Sequence, residues 1–307
     1  MAQEKQDSPS YKSMLLAYMD LLGFRKRVQE AGANANEIRQ IWKILDSARE
    51  LAQRRTNMTA VMTQAYQFSD TLVIAVEAAF PGAARLLLNW VTYFQMTALS
   101  DGWLVRGGIA EGDMMIEGSI WFGPGLIRAY DLERIVVDPV VVVDPQVYEQ
   151  GSWIDCAFYC QEMPKGLPIV DYLGTTIAYG IFLEADVANR TAERLGVQVN
   201  TNWCSPIGSD FVAKHRDLVA TALTNERYVH DLRVWSKYKW LQTYHNSTIR
   251  RFCAEANGQS RPEPSFMVRA EWFRQQSLRN TPSTHLERAD LLRVMQAMAK
   301  HLAPMTI

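Results

Sequence analysis

The sequence lacks the features of secreted, membrane and DNA-binding proteins. Its four cysteines show no metal-ligand spacing, so neither a disulfide framework nor a zinc site is expected. No apolar run reaches the roughly 18 residues of a membrane helix, and the polar N-terminus has no apolar signal core. The net charge of −1 lacks the basic excess of nucleic-acid binders. We therefore expect a cytoplasmic protein that binds neither membrane nor nucleic acid.

Hydrophobic residues are plentiful, at 48% of the chain, and their pattern predicts an α+β fold. Strands are predicted over 13–20, 58–69, 71–77, 103–110 and 135–143, a hairpin over 111–122, and helices over 23–54 (broken near 32–34), 81–99 and 123–134. This order is the split βαβ pattern of ferredoxin-like folds, in which an antiparallel sheet carries helices on one face.

We predict three regions along the chain. Residues 1–11 are expected to be disordered, residues 12–175 to form the α+β domain, and residues 176–307 to form a mainly helical C-terminal extension. The helical stretch 208–256 is rich in aromatic residues, which are more often packing than a ligand platform. The five histidines are scattered without metal-ligand spacing and predict core or surface positions rather than a metal site.

The segment YMDLLGF, residues 18–24, places an aspartate where a buried strand ends. Asp20 is followed by a turn with Gly23 and by a helix start. A carboxylate there can bind a metal ion, and the free N–H groups of the first helical turn can hold phosphate oxygens. Arg25 lies beside this turn and could neutralise a triphosphate. The alternative is that Asp20 only caps the helix.

A second aspartate, Asp70, lies in the predicted hairpin turn between two apolar strands. Aspartate at such a position often only stabilises the turn. In a ferredoxin-like sheet, however, the end of the first strand lies beside this hairpin, so Asp20 and Asp70 can bind the same ions. Paired carboxylates suit Mg²⁺ or Mn²⁺, which prefer oxygen ligands and leave coordination sites for phosphates.

Two later segments contain glycines, VRGGIAEG (105–112) and WFGPGLIRAYDLE (121–133). In combination with the two aspartate segments, they make the sequence resemble the class III nucleotide cyclases. The first metal motif of that family is matched by Asp20, Leu21, Gly23 and Phe24, and its hairpin aspartate by Asp70. Its later strand is matched by Arg106, Gly108, Ile109 and Gly112, and the following segment in part by Gly123, Pro124, Ala129, Leu132 and Glu133. The resemblance covers about residues 14–145.

The departures from the family pattern concern the nucleobase and the transition state. Tyr66 and Ile120 replace the lysine and the acid that select a purine, and Ile127 and Asp131 replace the transition-state asparagine and arginine. In these respects the chain is similar to the bacterial pyrimidine cyclases of Pycsar anti-phage systems. Tyr66 would shorten the base pocket and favour UTP, with CTP second. The alternative is that Tyr66 only packs within its strand.

The resemblance implies a homodimer in which the two chains share each active site. Asp20, Asp70 and the Leu21 carbonyl of one chain would hold two divalent cations, Mn²⁺ or Mg²⁺. The residues expected to bind the nucleoside triphosphate are Leu21, Gly23, Phe24, Arg25, Tyr66 and Gly123. The product would be 3′,5′-cyclic UMP or cyclic CMP, sensed by a separate effector protein.

Because Asp131 occupies the arginine position, another cation must stabilise the transition state. Arg128 and Arg106 are the first candidates, and Arg134 and Arg25 are further ones. Three other functions remain open: a cyclase fold that has lost activity and only binds nucleotide or dimerises, a purine cyclase, and a polymerase-palm relative with a linear or dinucleotide product. The hairpin argues against the polymerase-palm relative, because it reads FSDTL (68–72) and not the Gly-Gly-Asp-Glu-Phe type of dinucleotide cyclases.

Overall fold

A computed structural model of the chain describes residues 10–53, 63–149, 159–162, 167–180, 208–259, 266, 269–270, 288–300, 302 and 304–305. Residues 1–9 of the predicted disordered segment and residues 58–62 of a predicted strand lie outside the described residues. The chain divides into two compact units, one of residues 1–156 and 160–170, the other of residues 157–159 and 171–307. No helix in the described part is long and apolar enough to cross a membrane.

The first unit alternates strands and helices in the predicted order. Its strands are β1 (Lys12–Leu22), β2 (Thr63–Phe68), β3 (Thr71–Glu77), β4 (Leu104–Glu117), β5 (Ile120–Phe122), β6 (Val141–Val143), β7 (Cys160–Glu162) and β8 (Pro168–Val170). Its helices are α1 (Phe24–Ala31), α2 (Ala35–Gln53), α3 (Ala83–Ser100), α4 (Pro124–Ile135) and α5 (Pro145–Glu149). The predicted break near 32–34 is the gap between α1 and α2, where the Asn34 side chain accepts the Asn36 N–H at 3.0 Å.

The strands form one sheet in the order β2-β3-β1-β4-β6-β8-β7, with β5 paired to the end of β4. The neighbours among β2, β3, β1 and β4 are all antiparallel, which confirms the predicted ferredoxin-like arrangement and the α+β class. The pair β4–β6 is parallel, so the extended sheet is mostly rather than wholly antiparallel. Strand β1 lies between β3 and β4, and its middle residues are core residues.

Helices cover both faces of the sheet, so the prediction that they lie on one face is wrong. A Cβ on Gly108 would come within 2.3 Å of the Ala129 carbonyl oxygen, and one on Gly125 within 2.9 Å of Leu16 Cδ2. Helix α4 therefore packs directly on β4 and β1. The alternate residues of β1, such as Leu15, are equally buried, and α3 contacts β1, β3 and β4. We infer that α3 covers the opposite face.

Two predicted boundaries also differ from the structure. The strand predicted over 103–110 continues to Glu117, because β4 keeps its pairing with β1 and then pairs with β5. The strand predicted over 135–143 is reduced to Val141–Val143. Pro139 has no N–H for a strand ladder, and the Val140 N–H instead donates to the Asp138 carbonyl at 2.8 Å.

In the second unit the described residues are mainly helical. The helices are α6 (172–180), α7 (Gly208–Thr224), α8 (Glu226–Val229), α9 (Leu232–Ala256) and α10 (Arg288–Ala299). The Asn225 and Asp231 side chains accept backbone N–H groups at the starts of α8 and α9. These caps divide the helical stretch predicted over 208–256 into three helices.

Candidate active site

Asp20 and Asp70 lie next to each other at one end of the sheet. Asp20 pairs with Thr71 across β1 and β3, and Asp70 directly precedes Thr71 in the two-residue turn between β2 and β3. The Leu21 N–H donates to the Asp70 carbonyl at 3.2 Å, which ties the end of β1 to this turn. The other turn residue, Ser69, has a φ of 53°, a conformation that is uncommon without glycine. The structure thus brings together the two aspartates that the sequence singles out.

The negative charge of this pair exceeds what the surrounding cations balance. Burial, together with the charges of Asp70 and Glu133, raises the pKa of Asp20 to about 7. Arg106 acts in the opposite direction, but its Nη2 lies 4.0 Å from Asp20 Oδ2 and closer to Glu133, with which it forms an ion pair. A proton on Asp20 or an additional cation is therefore needed to balance the charge.

The available donors fit a hard divalent cation. Two carboxylates and the backbone carbonyl of Leu21 are oxygen ligands of the kind that Mg²⁺ and Mn²⁺ prefer. Within the described ranges, no group of three or more His, Cys, Asp or Glu side chains could hold a metal ion. An ion at Asp20 and Asp70 would thus complete its shell with backbone, water or substrate oxygens, which is usual for Mg²⁺ bound together with a phosphate substrate.

Glu133 belongs to this site, although the sequence analysis assigned it no role. Its side chain is 3% exposed, and it holds Arg106, whose Nη1 also donates to the Val136 carbonyl at 3.3 Å. Arg106 lies directly opposite Asp20 in the β1–β4 pairing. The signal that could have found Glu133 is an acid on the packed face of α4, near an arginine on the strand beneath it.

Arg128 is held by a different buried acid. Its Nε and Nη2 donate to the Asp144 carboxylate at 2.6 and 3.3 Å, and hydrogen bonding to Asp144 raises the pKa of Arg128. Asp144 is buried, whereas the Arg128 side chain is 51% exposed. Among the described residues, no hydrogen bond or ion pair joins Arg128 to Asp20 or Asp70. Within one chain, the structure therefore brings Arg106 to the aspartates and not Arg128.

The start of α1 lies directly after β1. Gly23 has a φ of 80°, a left-handed conformation that glycine adopts without strain. The Phe24 ring packs on Trp103 with ring centroids 5.8 Å apart, and the Arg27 guanidinium lies 4.1 Å from the same ring. These contacts fix the first turn of α1, and the Arg25 side chain next to it is exposed. The first N–H groups of a helix are suited to binding an anion.

Close backbone packing alone explains why position 123 is a glycine, without any contact to a substrate. A Cβ at Gly123 would lie 2.3 Å from the Asp113 carbonyl oxygen, and one at Gly112 would lie 2.8 Å from Gly125 Cα. These glycines allow the start of α4 to approach β4 closely. The substrate-binding role predicted for Gly123 stays a prediction.

Tyr66 lies on β2 and contacts an aromatic residue of its own chain. Its ring stacks on Trp121 of β5, with centroids 5.8 Å apart and an interplanar angle of 29°. Ile120, which the resemblance places at the purine-selecting position, is 62% exposed. Trp121 could not be predicted from the sequence, because strand pairing alone does not bring β5 next to β2.

No family model matches the chain, and no curated protein matches it. Among solved structures, the chain is similar to the catalytic core of a rhodopsin-guanylyl cyclase with converted specificity in complex with ATPαS, at 14% identity and a TM-score of 0.40, over 52% of this chain and 96% of that one. It is also similar to an adenylate/guanylate cyclase/hydrolase from Silicibacter pomeroyi, at 16% identity and a TM-score of 0.33, over 52% of this chain and 95% of that one. A function therefore has to be argued from the residues of the site.

Proposed function

We propose that the chain is a pyrimidine nucleotide cyclase that converts UTP, and CTP as the second choice, into the 3′,5′-cyclic monophosphate and pyrophosphate. The observation that supports this most is the adjacency of Asp20 and Asp70, with unbalanced negative charge, directly before the N-terminus of α1. The resemblance to the Pycsar cyclases adds the proposal that the product is a second messenger in anti-phage defence, sensed by a separate effector.

In this proposal Asp20, Asp70 and the Leu21 carbonyl would hold two divalent cations, Mn²⁺ or Mg²⁺. Such ions would lower the pKa of the ribose 3′-hydroxyl and stabilise the charge of the leaving pyrophosphate. The first N–H groups of α1 and the Arg25 guanidinium orient the triphosphate. The 3′-hydroxyl loses its proton to water, its oxygen forms a bond to the α-phosphorus, and the bond from this phosphorus to the α,β-bridging oxygen breaks. The residues of the chain contribute mainly positioning and charge stabilisation.

The two candidate arginines would have different roles. Arg106 forms an ion pair with Glu133 and lies beside Asp20. As a positioning residue, it would orient the Asp20 carboxylate. The Nε and Nη2 of Arg128 are held by Asp144, while its Nη1 makes no hydrogen bond to a described residue. An arginine oriented in this way on an exposed helix surface could stabilise charge in the active site of a second chain.

A homodimer is supported by apolar side chains exposed on the first unit. Phe68 is 69% exposed and follows Tyr66 on β2, while Ile127 and Tyr130 are exposed on α4. Large apolar side chains exposed to solvent are candidates for an interaction surface. We propose a head-to-tail pair in which Asp20 and Asp70 of one chain act with Tyr66 and α4 of the other.

One observation favours a second candidate, a nucleotide-binding or dimerisation module without activity. Ile127 and Asp131 stand where the resembling family has its transition-state residues, and the alternative arginines Arg106 and Arg128 are engaged by Glu133 and Asp144. The retained aspartate pair favours the active enzyme.

Purified protein incubated with Mn²⁺ and each of the four ribonucleoside triphosphates separates these candidates. We expect cyclic product from UTP, less from CTP, and a kcat/KM for ATP and GTP at least about tenfold lower. Purine turnover equal to pyrimidine turnover would contradict the pyrimidine assignment, and the highest kcat/KM for CTP would contradict only the choice of UTP. No turnover together with nucleotide binding would favour the inactive module.

A further inference from the structure

The ring of Tyr66 is covered by the indole of Trp121, and this contact bears on the nucleobase. The two rings stack at 5.8 Å within one chain. Tyr66 occupies the position from which a lysine selects purines in the resembling family, but the family pattern assigns nothing to Trp121. Trp121 is half-buried, so it is neither a core residue nor a freely moving surface side chain.

The strand register places Trp121 on the same face of the sheet as Tyr66 and Asp20. Tyr66 pairs with Val73, which pairs with Tyr18, two residues before Asp20. Residues two apart on a strand share a face, and directly paired residues do as well. Tyr66, Tyr18 and Asp20 therefore lie on the face that carries α4.

The pairing of β4 with β5 extends this face to the indole. Gly112 touches α4, so Ile116, four residues further along β4, lies on the α4 face. Trp121 pairs directly with Ile116, whereas Ile120 and Phe122 alternate to the opposite face. This alternation explains why Trp121, and not Ile120, reaches Tyr66.

The β4–β5 hairpin also fixes the indole in place. The Trp121 Nε1–H donates to the Gly118 carbonyl at 3.2 Å, and Gly118 has a φ of 57° in the turn. Since its only hydrogen-bond donor is used inside the hairpin, Trp121 offers an apolar surface and no polar group. The Tyr66 hydroxyl makes no hydrogen bond to a described residue and is free to bind a polar edge of a base.

We propose that Trp121 is a specificity-determining residue of the base pocket, because its indole fills the space beside Tyr66 that the second ring of a purine would need. The proposal rests on the proposed function in taking Tyr66 as a base-contacting residue. Selection then comes from exclusion: Tyr66 offers the hydrogen bond, and Trp121 rejects the larger base sterically. A single-ring base leaves the aromatic pair intact.

Binding of α,β-methylene analogues of UTP, CTP, ATP and GTP, measured by calorimetry with Mn²⁺, tests the proposal without requiring turnover. For the unmodified chain we expect the pyrimidine analogues to bind at least about tenfold more tightly than the purine analogues. Trp121→Ala should reduce this ratio by about tenfold or more, mainly through tighter purine binding. Trp121→Phe keeps an aromatic ring in the hairpin and removes only the second ring, so it should reduce the ratio by less.

The matched control is Phe122→Ala, which removes a neighbouring aromatic side chain on the opposite face of the same hairpin. Its ratio should equal that of the unmodified chain. An unchanged ratio in a folded Trp121→Ala or Trp121→Phe chain overturns the proposal, as does equal binding of purines by the unmodified chain. Selective, Trp121-dependent binding without any cyclic product supports the pocket and overturns the proposed reaction. Cyclisation of UTP, together with a pyrimidine-to-purine binding ratio that does not change in the Trp121 variants, supports the proposed reaction and overturns the proposed role of Trp121.

Discussion

Two aspartates, one in each unit, are surrounded by opposite charge environments. Asp171 is fully buried, and its carboxylate accepts hydrogen bonds from Arg269 Nη1 at 2.8 Å, from the Tyr244 hydroxyl at 2.7 Å and from the Gly174 N–H at 3.1 Å. Burial alone would raise the pKa of Asp171, but Arg269 and Arg251, together with the hydrogen bonds, hold it below its ordinary value. This acid has all its counter-charges inside the fold.

Asp20 is less buried, yet its pKa moves the other way. Burial, together with the charges of Asp70 and Glu133, raises that pKa to about 7, and Arg106 is shared with Glu133. The difference separates a carboxylate that the fold itself stabilises from one that we propose binds a metal ion. The fold stabilises the charge of Asp171 itself, whereas the charge of Asp20 needs a partner from outside the chain.

Removing the charge of Asp171 should have the largest effect. Asp171→Asn removes the carboxylate charge that pairs with Arg269, which is 1% exposed, so we expect a loss of about 3–5 kcal/mol in the free energy of unfolding. Urea unfolding of the full chain measures this. The control Asp217→Asn breaks only an exposed pair with Arg216 and should change that free energy by less than about 0.5 kcal/mol. A small effect at Asp171 would contradict the structural role.

The same substitution at the other aspartates should spare stability and remove activity. Asp20→Asn and Asp70→Asn each delete a charged oxygen ligand, and we expect a loss of at least about a hundredfold in kcat. The melting temperature should stay the same or rise, because a repulsion between like charges is removed. Asp46→Asn, which breaks only a surface pair with Arg49 on α2, is the control. Near-normal turnover in either active-site variant would argue against the metal assignment.

Sharing of the active site between two chains predicts complementation. Asp70→Asn and Tyr66→Ala homodimers should each be nearly inactive, whereas a heterodimer rebuilds one intact site. After full subunit exchange, about a quarter of the original activity should return, since half of the dimers are mixed and each has one site of two. Activity is measured after mixing, alongside proof of heterodimers. Heterodimers without recovered activity would place each site within one chain.

The smallest effect expected is a pH-dependent shift in stability. Because the pKa of Asp20 is raised to about 7, the folded chain holds a proton there that the unfolded chain has lost, and this group lowers the free energy of unfolding as pH rises from about 4 to about 7. Mn²⁺ competes with that proton, so the rise in melting temperature caused by Mn²⁺ should be larger at about pH 8 than at about pH 5.5. Asp20→Asn should abolish the difference. An equal Mn²⁺ effect at both pH values would contradict the charge argument.

The aspartate pair could be predicted from sequence because it depends on local pattern. An apolar run ending in Asp20 and an apolar hairpin turning at Asp70 become neighbours whenever the first strand pairs with that hairpin. The antiparallel order of strands β2, β3, β1 and β4 follows from the same reasoning. Local sequence pattern did not predict the contacts between elements that are distant in sequence. Trp121 stacks on Tyr66 although β5 and β2 are not paired, and Glu133 reaches Arg106 because glycines let α4 pack closely on β4.

The second unit shows the same limit more strongly. His215 and His245 are thirty positions apart in sequence, yet their Nδ1 atoms lie 3.2 Å apart in the buried core. Burial lowers the pKa of both, to about 4 for His245, so the pair is neutral at ordinary pH. The sequence predicted core or surface positions for the histidines, and these two lie in the core. The contact itself depends on how α7 packs against α9, and no local sequence pattern specifies that.

The most direct test of the central claim is mass-spectrometric identification of the product formed from UTP and Mn²⁺ by the unmodified chain and by Asp70→Asn. The account predicts 3′,5′-cyclic UMP and pyrophosphate in equal amounts from the unmodified chain, and at least about a hundredfold less from the variant. A linear or dinucleotide product, or a cyclic product formed equally well without the Asp70 carboxylate, would contradict the assignment of this aspartate pair as a cyclase site.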